Sequence, residues 1–289
     1  MNGFLARVCT VAATGGALCM LTVPAASASG GGGAMIHRDV ISASGGSDVP
    51  IHHGALGPAG SVAGRGGELR PTSEDPAVGR VAAAPISNRD FAGYQTGVTA
   101  GSATSSAATF TVPTLSCTTT NRVIAPDVGV AANKNKTGSV AGVAIGCAKG
   151  KAAYFPFLIA NGAEANYTAV HFAAGDVINL SASVTTSGTT VQVTDTTKNV
   201  TVATTLTGAG ASPNAAWIGD ESWYSGSGAR LGVPKFGKLA FTSGLIDGTA
   251  LGGFHPQAYQ RVNGRGTVEI ATGALSPDGT AFTTLYRNS

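Results

Sequence analysis

The clearest pattern along the chain is a two-residue alternation of apolar and polar side chains in its central part. It runs through residues 176–184, 190–194 and 200–206, with breaks at Ser187-Gly188 and Lys198-Asn199. Alternation with period two places successive side chains on opposite faces of a β-strand, and short polar breaks of this kind suit tight hairpin turns. The pattern therefore predicts an antiparallel meander of three strands.

Similar short runs occur elsewhere, at residues 108–112, 238–241, 267–270 and 282–286. The last two are separated by Ser276-Pro277-Asp278-Gly279, a sequence typical of a turn. A series of short alternating strands separated by turns is the sequence pattern of a β-sandwich or a barrel. The fold class that we predict is all-β, a β-sandwich of two antiparallel sheets of the concanavalin-like or jelly-roll-like kind.

Composition supports strands over helices. Charged residues make up only 11% of the chain, which contains 42 glycines, whereas long surface helices need Glu, Lys, Arg, Leu and Ala in quantity. Lys and Arg number 18 against 15 Asp and Glu, a net charge of +3. This excess is too small to indicate a nucleic-acid partner by charge, and we expect none.

The first 28 residues have the three-part layout of a secretory signal peptide. Arg7 precedes an apolar stretch over residues 8–23, and the small residues Ala26-Ser27-Ala28 follow. A retained membrane anchor is the alternative, but glycines interrupt the apolar stretch and it is the only long one. We therefore expect residues 1–28 to be removed and the protein to be secreted, without membrane contact afterwards.

Two further regions follow the predicted signal peptide. Residues 29–87 are rich in glycine and lack aromatic residues, so they cannot bury enough apolar surface to form a core. We interpret them as a disordered propeptide or linker. Aromatic residues begin to appear after residue 87, and residues 88–289 are expected to form one domain.

Four cysteines divide between the signal segment and the domain. Cys9 and Cys19 leave with the signal peptide, so Cys117 and Cys147 remain. In an oxidising compartment a single pair is most simply a disulfide; two unpaired buried thiols are the alternative. Neither cysteine has the spacing of a zinc site, and no metal or other cofactor is expected.

The sequence offers little support for nucleophilic hydrolase chemistry. No Gly-x-Ser-x-Gly motif occurs in a strand–turn–helix context, and the domain has only His171 and His255 as candidate bases. A Ser-His-Asp triad is therefore not expected. Carboxylates are the remaining candidates for acid–base catalysis.

Two adjacent acids lie between the only two tryptophans of the chain. Asp220 and Glu221 are flanked by Trp217 and Trp223, and a carboxyl group held against aromatic walls loses hydration, which raises its pKa and suits it to proton transfer. Alternation along a strand would place the two acids on opposite faces, so only one of them can point into a given cleft. A solvated acidic turn beside two core tryptophans is the alternative.

Several motifs, in order along the chain, resemble those of the glutamic peptidases, or eqolisins. They are Phe91-Ala-Gly-Tyr94, Phe110-Thr-Val-Pro113, Val128-Gly129, Gly175-Asp-Val-Ile-Asn-Leu180, Ala216-Trp-Ile218 and Ala274-Leu-Ser-Pro-Asp-Gly-Thr-Ala-Phe282. The resemblance covers residue 91 to the C-terminus. It implies a secreted β-sandwich with a concave substrate-binding face and a removable propeptide. It also implies a Glu as general base and acid and a Gln that supports the oxyanion.

The chain departs from the family pattern at the catalytic positions. The resemblance places the family Glu on Asp220, with Glu221 one residue later, and the family Gln near Gly142, which has no side chain. The Gly-Ile-Asp-Gly motif becomes Gly129-Val-Ala-Ala132 and loses another acid. Losing one oxyanion donor costs about a hundred- to a thousand-fold in rate. We therefore expect a catalytically impaired protein that binds polypeptide, or a glycan, in its groove.

Two other functions stay open. The chain could be an active acid endopeptidase in which Asp220 or Glu221 is the general acid and base, with Gln95 as a candidate amide donor. It could also be a structural envelope protein whose lysines between Lys134 and Lys151 contact an anionic polymer.

Aromatic side chains are the candidates for ligand contacts in the groove. They are Tyr154, Phe155, Trp217, Trp223 and Tyr224, with core packing as the alternative for at least half of them. We expect a monomer with a polypeptide substrate or ligand.

Overall fold

The computed structural model describes residues 51–53, 84–96, 103–119, 121–132, 137–207, 213–225 and 228–287. The described residues form strands and a short 3₁₀ helix, Leu251–Phe254, and they include no helix with the length and apolarity needed to cross a membrane. The strands, in chain order, are β1 (Ile51–His53), β2 (Ile86–Asn88), β3 (Phe91–Gln95), β4 (Ser105–Thr111), β5 (Arg122–Ala132), β6 (Thr137–Ala148), β7 (Lys151–Ala160), β8 (Ala163–Asn166), β9 (Val177–Thr185), β10 (Gly188–Asp195), β11 (Val200–Thr207), β12 (Pro213–Ser225), β13 (Lys238–Ile246), β14 (Thr249–Ala250), β15 (Gln257–Val262), β16 (Val268–Thr272) and β17 (Phe282–Tyr286).

The meander predicted from alternation is confirmed. Strand β10 pairs antiparallel with both β9 and β11, and the intervening turns fall at the predicted breaks. Burial alternates along β9, where Ile178, Leu180, Ala182 and Val184 are buried. The hairpin predicted near the C-terminus is also confirmed, because β16 pairs antiparallel with β17.

The strands form one curled sheet that folds into two layers. The front layer contains β8, β7, β6, β5, β12, β3 and β15, hydrogen-bonded in that order. The back layer contains β16, β17, β13, β4, β9, β10 and β11 in that order, and β15 joins the two. These pairings are antiparallel, whereas β2 lies parallel to β15. The predicted β-sandwich is therefore confirmed.

The core between the layers is apolar and contains residues from both. Its buried members include Val128, Leu158 and Ile218 from the front layer and Phe110, Leu180 and Phe241 from the back layer. At about 1.5–3 kcal/mol for each large side chain removed from water, this burial is the main force that holds the layers together. We call this set the inter-layer core.

The front layer also buries residues on the face that points away from the back layer. They form a separate hydrophobic cluster, which we call the outer-face cluster: Phe91, Val123, Ala125, Ala131, Val140, Ala144, Phe155, Phe157, Ile159, Trp217 and Trp223. The central front-layer strands β5, β6 and β12 are thus buried on both faces, and burial does not alternate along them.

A disulfide and two N-terminal strands make further connections within this fold. The predicted disulfide is confirmed, since Cys117 and Cys147 are joined with a Cα–Cα distance of 5.4 Å. Within the predicted propeptide or linker at 29–87, β1 pairs with Trp223–Ser225 of β12, and β2 pairs with β15. The predicted signal peptide lies outside the described residues.

Candidate active site

The two tandem acids point to opposite faces of β12. Asp220 is paired across the front layer with Ala92 and Pro126, and Glu221 is paired with Phe91 and Ala125. Directly paired residues share a face of a sheet. Since Ala92 belongs to the inter-layer core and Phe91 to the outer-face cluster, Asp220 faces the back layer and Glu221 faces outward.

Asp220 is a fully buried carboxyl group. It has no exposed surface, and neither carboxylate oxygen has a hydrogen-bonding partner among the described residues. Burial raises the pKa of Asp220 to about 7, although the nearby Thr284 hydroxyl and the charge of Arg261 favour its ionised form. The Thr284 oxygen approaches from the back layer but does not reach hydrogen-bonding geometry. Asp220 therefore lies in the inter-layer core, away from the outer face.

A second buried acid, Asp127, lies at the centre of the outer face. Asp127 on β5 is paired with Gly219 on β12 and with Gly142 on β6. The indole Nε1 of Trp217 donates a hydrogen bond of 3.0 Å to Oδ1 of Asp127. Asp127 is fully buried, so its position and one of its carboxylate oxygens are fixed by neighbouring strands.

The environment of Asp127 favours the protonated carboxyl group. Burial raises its pKa well above the usual value, because the apolar surroundings cannot solvate the charge. The hydrogen bond from Trp217 lowers the pKa, and the negative charge of Asp220 raises it. The net direction is upward, so Asp127 stays neutral at a pH at which an ordinary aspartate is ionised.

Asp127 and Glu221 are diagonal neighbours on the same face. Asp127 is paired with Gly219, and Glu221 is the next outward-facing residue along β12. Diagonal neighbours on adjacent antiparallel strands lie about 7–8 Å apart, within reach of long side chains. The fold thus brings together two acids that are far apart in sequence, in an apolar environment. Two carboxyl groups so placed can divide the roles of proton acceptor and proton donor.

Gly142, near which the resemblance places the family glutamine, has no room for a side chain. A Cβ atom on Gly142 would lie 2.5 Å from two atoms of the Phe157 ring and 2.8 Å from Cβ of Asp127. The ring of Phe157 therefore occupies the space over Gly142, and it is fully buried there. An amide side chain at this position would require the ring to move.

A second glycine makes the contact between Trp217 and Asp127 possible. Gly129 is paired with Trp217, and a Cβ atom on Gly129 would lie 2.0 Å from the indole ring. The ring can lie across β5 only because this position has no side chain. Its N–H thereby reaches Asp127, two residues away on the same strand.

Gln95 shares the outer face but lies apart from the acids. It is paired with Trp217 and is buried. Strand β12 lies between its strand, β3, and the strand of Asp127. Gln95 is thus not placed beside Asp127, and it lies two outward-facing positions along β12 from the level of Glu221.

The predicted aromatic set divides between the two faces. Trp217, Trp223 and Phe155 belong to the outer-face cluster, where the ring of Trp223 packs edge-on against Phe155. Tyr154 belongs to the inter-layer core, and its hydroxyl donates a hydrogen bond of 3.1 Å to the carbonyl of Pro113. Tyr224 is half-buried at the end of β12. The structure brings three of the five together with Glu221 and Asp127.

Other acids of the domain stabilise turns. Asp195 accepts from the backbone N–H of Thr197 and Lys198, and Asp247 accepts from those of Thr104 and Ser105. Asp278 accepts from the N–H of Thr280, and Asp176 from that of Ala173. These four aspartates are therefore used in turns and strand entrances, and Asp127, Asp220 and Glu221 are the acids of the strands around the site.

Asp127 was not singled out by the sequence analysis. The feature of the sequence that could have identified Asp127 is an acid within a long, mostly apolar segment. It lies two residues before Gly129, in a motif that resembles one of the glutamic peptidases. Acids in fully buried strands are rare unless they are paired or functional. That signal marks Asp127 as unusual, but its pairing with Gly219 is visible only in the fold.

Comparison with known proteins agrees with this fold. The Peptidase A4 family model matches residues 89–271. Scytalido-glutamic peptidase, solved with a peptide-based transition-state analogue, is 14% identical, with a TM-score of 0.57 over 69% of this chain and 98% of its own. SCP-B, a member of the eqolisin family solved with the tripeptide Ala-Ile-His, is also 14% identical, with a TM-score of 0.54 over 69% and 98%. No curated protein matches the sequence. The resemblance inferred from the motifs is confirmed.

Proposed function

Since this chain belongs to the peptidase A4 family of glutamic peptidases, we propose that it hydrolyses peptide bonds with Glu221 as the general base. The observation that carries this proposal is the shared face of Glu221 and Asp127 on paired strands. A base that activates water and a group that meets the oxyanion act on the same peptide bond, so they must face the same side of the sheet.

The pairing register of β12 with β5 indicates which of the two adjacent acids, Asp220 or Glu221, is the general base. Gly142, near which the resemblance places the family glutamine, is paired with Asp127, which is paired with Gly219. Glu221 is on the face of these residues and Asp220 is on the other. Glu221 therefore takes the catalytic role, and Asp220 belongs to the inter-layer core.

The apolar surroundings of Glu221 suit it to acid–base chemistry. Glu221 is only 2% exposed, and its paired neighbours on both sides, Phe91 and Ala125, belong to the outer-face cluster. Such burial makes the environment of a carboxyl group poorly solvating and strengthens its interactions with a polarised carbonyl. The expected working range is acidic, where carboxyl groups titrate.

The N-terminal segment reaches the strand that carries the site. Strand β1 pairs with Trp223–Ser225, and Trp223 is two residues beyond Glu221. We propose that residues 29–87 are a propeptide and that substrate reaches the outer face after they are removed. The exported, mature protein is then a monomeric polypeptide hydrolase, and the disulfide between Cys117 and Cys147 supports an oxidising, extracellular location.

A second function is favoured by a different observation. Gly142 has no side chain, and the ring of Phe157 fills the space over it, so the amide used in this family is missing there. If no other group replaces it, the protein is a non-catalytic binder that holds an extended polypeptide, or a glycan, on its outer face through Trp217, Trp223 and Phe155.

Cleavage of a denatured protein and of quenched-fluorescence peptides by the full chain, incubated between pH 2 and 7, tests the proposal. N-terminal sequencing of the enzyme after incubation reports whether it has lost its own N-terminal segment. The matched variants are Glu221→Gln and Asp220→Asn, which keep shape and remove one acid each.

We expect acid-dependent cleavage by the wild type, loss of more than about a hundred-fold in Glu221→Gln, and retention in Asp220→Asn. Loss in Asp220→Asn with retention in Glu221→Gln would assign the base to the other face and contradict the proposal. Absence of cleavage by the trimmed wild type, with tight binding of the denatured protein, would establish the non-catalytic binder.

A further inference from the structure

We propose that Asp127 is a catalytic residue whose protonated carboxyl group donates the hydrogen bond to the developing oxyanion. This inference rests on the proposed hydrolase function and adds the donor that this chain otherwise lacks. Asp127 is paired with Gly142, near which the resemblance places the family amide. The Asp127 carboxyl group is therefore attached to the neighbouring strand, directly beside Gly142, which has no side chain.

The hydrogen bond from Trp217 orients the carboxyl group for this role. The indole Nε1 donates to Oδ1 of Asp127 at 3.0 Å, so Oδ1 is the carbonyl-type acceptor and the proton resides on Oδ2. Oδ2 then becomes the donor. The indole is held in place over Gly129 and is fully buried, so the orientation is set before substrate arrives, as preorganised stabilisation of a transition state requires.

The groups that surround Asp127 support a neutral acid. On β12, Glu221 shares its face and Asp220 lies on the opposite face, and both add negative charge when ionised. The directly paired residues on β12 and β6 are Gly219 and Gly142, and Phe157 on β7 packs next to them. Trp217 contributes a neutral donor. Burial in this setting raises the pKa of Asp127 well above its usual value. A carboxylic acid kept neutral by apolar surroundings can stabilise an oxyanion through its O–H.

The two acids then divide the chemistry of hydrolysis. Ionised Glu221 takes a proton from water as the water oxygen bonds to the peptide carbon, and the carbonyl π electrons move to oxygen. The Oδ2–H of Asp127 donates a hydrogen bond to that oxygen and keeps its proton. Protonated Glu221 next gives its proton to the peptide nitrogen, the C–N bond breaks, and the carbonyl re-forms. The products are a carboxylic acid and an amine, and both acids return to their starting states.

Substitution of Asp127 by Asn and by Ala separates this role from a structural one. Asn keeps the shape, accepts from Trp217 through Oδ1, and offers an amide N–H where the acid offered its O–H. Ala removes the donor. The measurement is the pH profile of kcat/KM for the full chain after acid incubation, with circular dichroism to verify the fold, and Glu221→Gln as the reference for a missing base.

We expect Asp127→Ala to lose about a hundred- to a thousand-fold in kcat/KM, and Asp127→Asn to remain within about ten-fold of wild type at pH 4. The alkaline limb of the wild-type profile, which reports ionisation of Asp127, should move to higher pH in Asp127→Asn, because an amide does not ionise. A residue that only supports the fold would leave this limb unchanged.

The inference is overturned if Asp127→Ala is as active as wild type while Glu221→Gln is inactive, a result that leaves the proposed function intact. An unchanged alkaline limb in a folded, active Asp127→Asn variant also overturns it. If Glu221→Gln cleaves as well as wild type, or the trimmed wild type does not cleave, the proposed function fails and the role of Asp127 fails with it.

Discussion

The indole Nε1 of Trp217 donates a hydrogen bond of 3.0 Å to Oδ1 of Asp127, across the junction of β12 and β5. The contact joins one of the two tryptophans of the outer-face cluster to the buried acid Asp127, and it depends on the missing side chain of Gly129. An acid that would be costly to bury alone is thereby given one strong polar contact. This contact orients the Asp127 carboxyl group and contributes to the stability of the outer face.

Replacing Trp217 by Phe should weaken the domain by about 1–3 kcal/mol, because a buried hydrogen bond and part of a packed ring are lost. The pKa of Asp127 should rise further, since the bond from Trp217 favours its charged form. Urea unfolding of Trp217→Phe, Asp127→Ala and the double variant measures the coupling between the two side chains. Additive losses would show that the hydrogen bond contributes nothing to stability.

Gly142→Ala should destabilise the protein because the new Cβ atom would lie 2.5 Å from the Phe157 ring. Overpacking of this kind costs about 1–3 kcal/mol. Gly253→Ala is the matched control: a Cβ there lies 3.5 Å from its nearest neighbour, so the change should be nearly neutral. Thermal or urea unfolding of the two variants gives the comparison, and equal stabilities would mean that Phe157 moves aside without cost.

Stability should fall as pH rises from about 4 to 7, through the titration of Asp220. The pKa is about 7 in the folded state and about 3.9 in an unfolded chain, so in this window the folded state binds more protons. The linked contribution, about 4 kcal/mol, is complete below pH 4 and is lost as pH rises through 7. Asp127 contributes in the same direction, because burial also raises its pKa.

The Asp220→Asn variant isolates that effect. It cannot ionise, so its free energy of unfolding should depend much less on pH between 4 and 7, and it should be more stable than wild type at pH 7. Urea unfolding at several pH values measures both slopes. A wild-type protein that becomes more stable over this range, or a variant with the wild-type slope, would contradict the burial of an ionisable Asp220.

Because the guanidinium of Arg261 is buried, its ion-pair partner Glu269 should be important for the stability of the fold. Arg261 has no exposed surface, and its Nε lies 3.2 Å from Oε2 of Glu269. Removing one member of a buried ion pair costs about 3–5 kcal/mol, so Glu269→Ala should be strongly destabilising. Lys198, whose side chain is 40% exposed beside Asp176, offers the contrast, since Lys198→Ala should cost less than about 1 kcal/mol. Similar losses for both variants would contradict the expected role of burial.

The hairpins could be predicted from sequence because they depend on the alternation and turn residues of one short segment. The disulfide could be predicted because the domain contains only two cysteines. In β9, apolar Ile178, Leu180 and Ala182 alternate with polar residues, which identifies one buried face. The alternation rule also separated Asp220 from Glu221. It could not tell which of them faces outward, since every residue from Ala215 to Trp223 is buried.

The importance of Asp127 could not be predicted because it arises from pairings between distant strands. Asp127 meets Gly219 and Gly142 only when β5 lies between β12 and β6. The reach of Trp217 across Gly129 is likewise a tertiary contact. Tyr154 and Phe155 show the same limit: both are aromatic candidates for ligand contacts in the sequence, but they are adjacent on one strand and pack on opposite faces.

The carboxyl carbon of Asp127, followed by ¹³C NMR during a pH titration of the aspartate-labelled protein, tests most directly whether this acid is neutral at the pH of catalysis. The signal is assigned by its absence in Asp127→Asn. We predict that it keeps the chemical shift of a protonated carboxylic acid at pH 5, where an exposed aspartate is ionised. A signal that titrates near pH 4, as in an unfolded chain, would show that Asp127 is a carboxylate and cannot be the donor to the oxyanion.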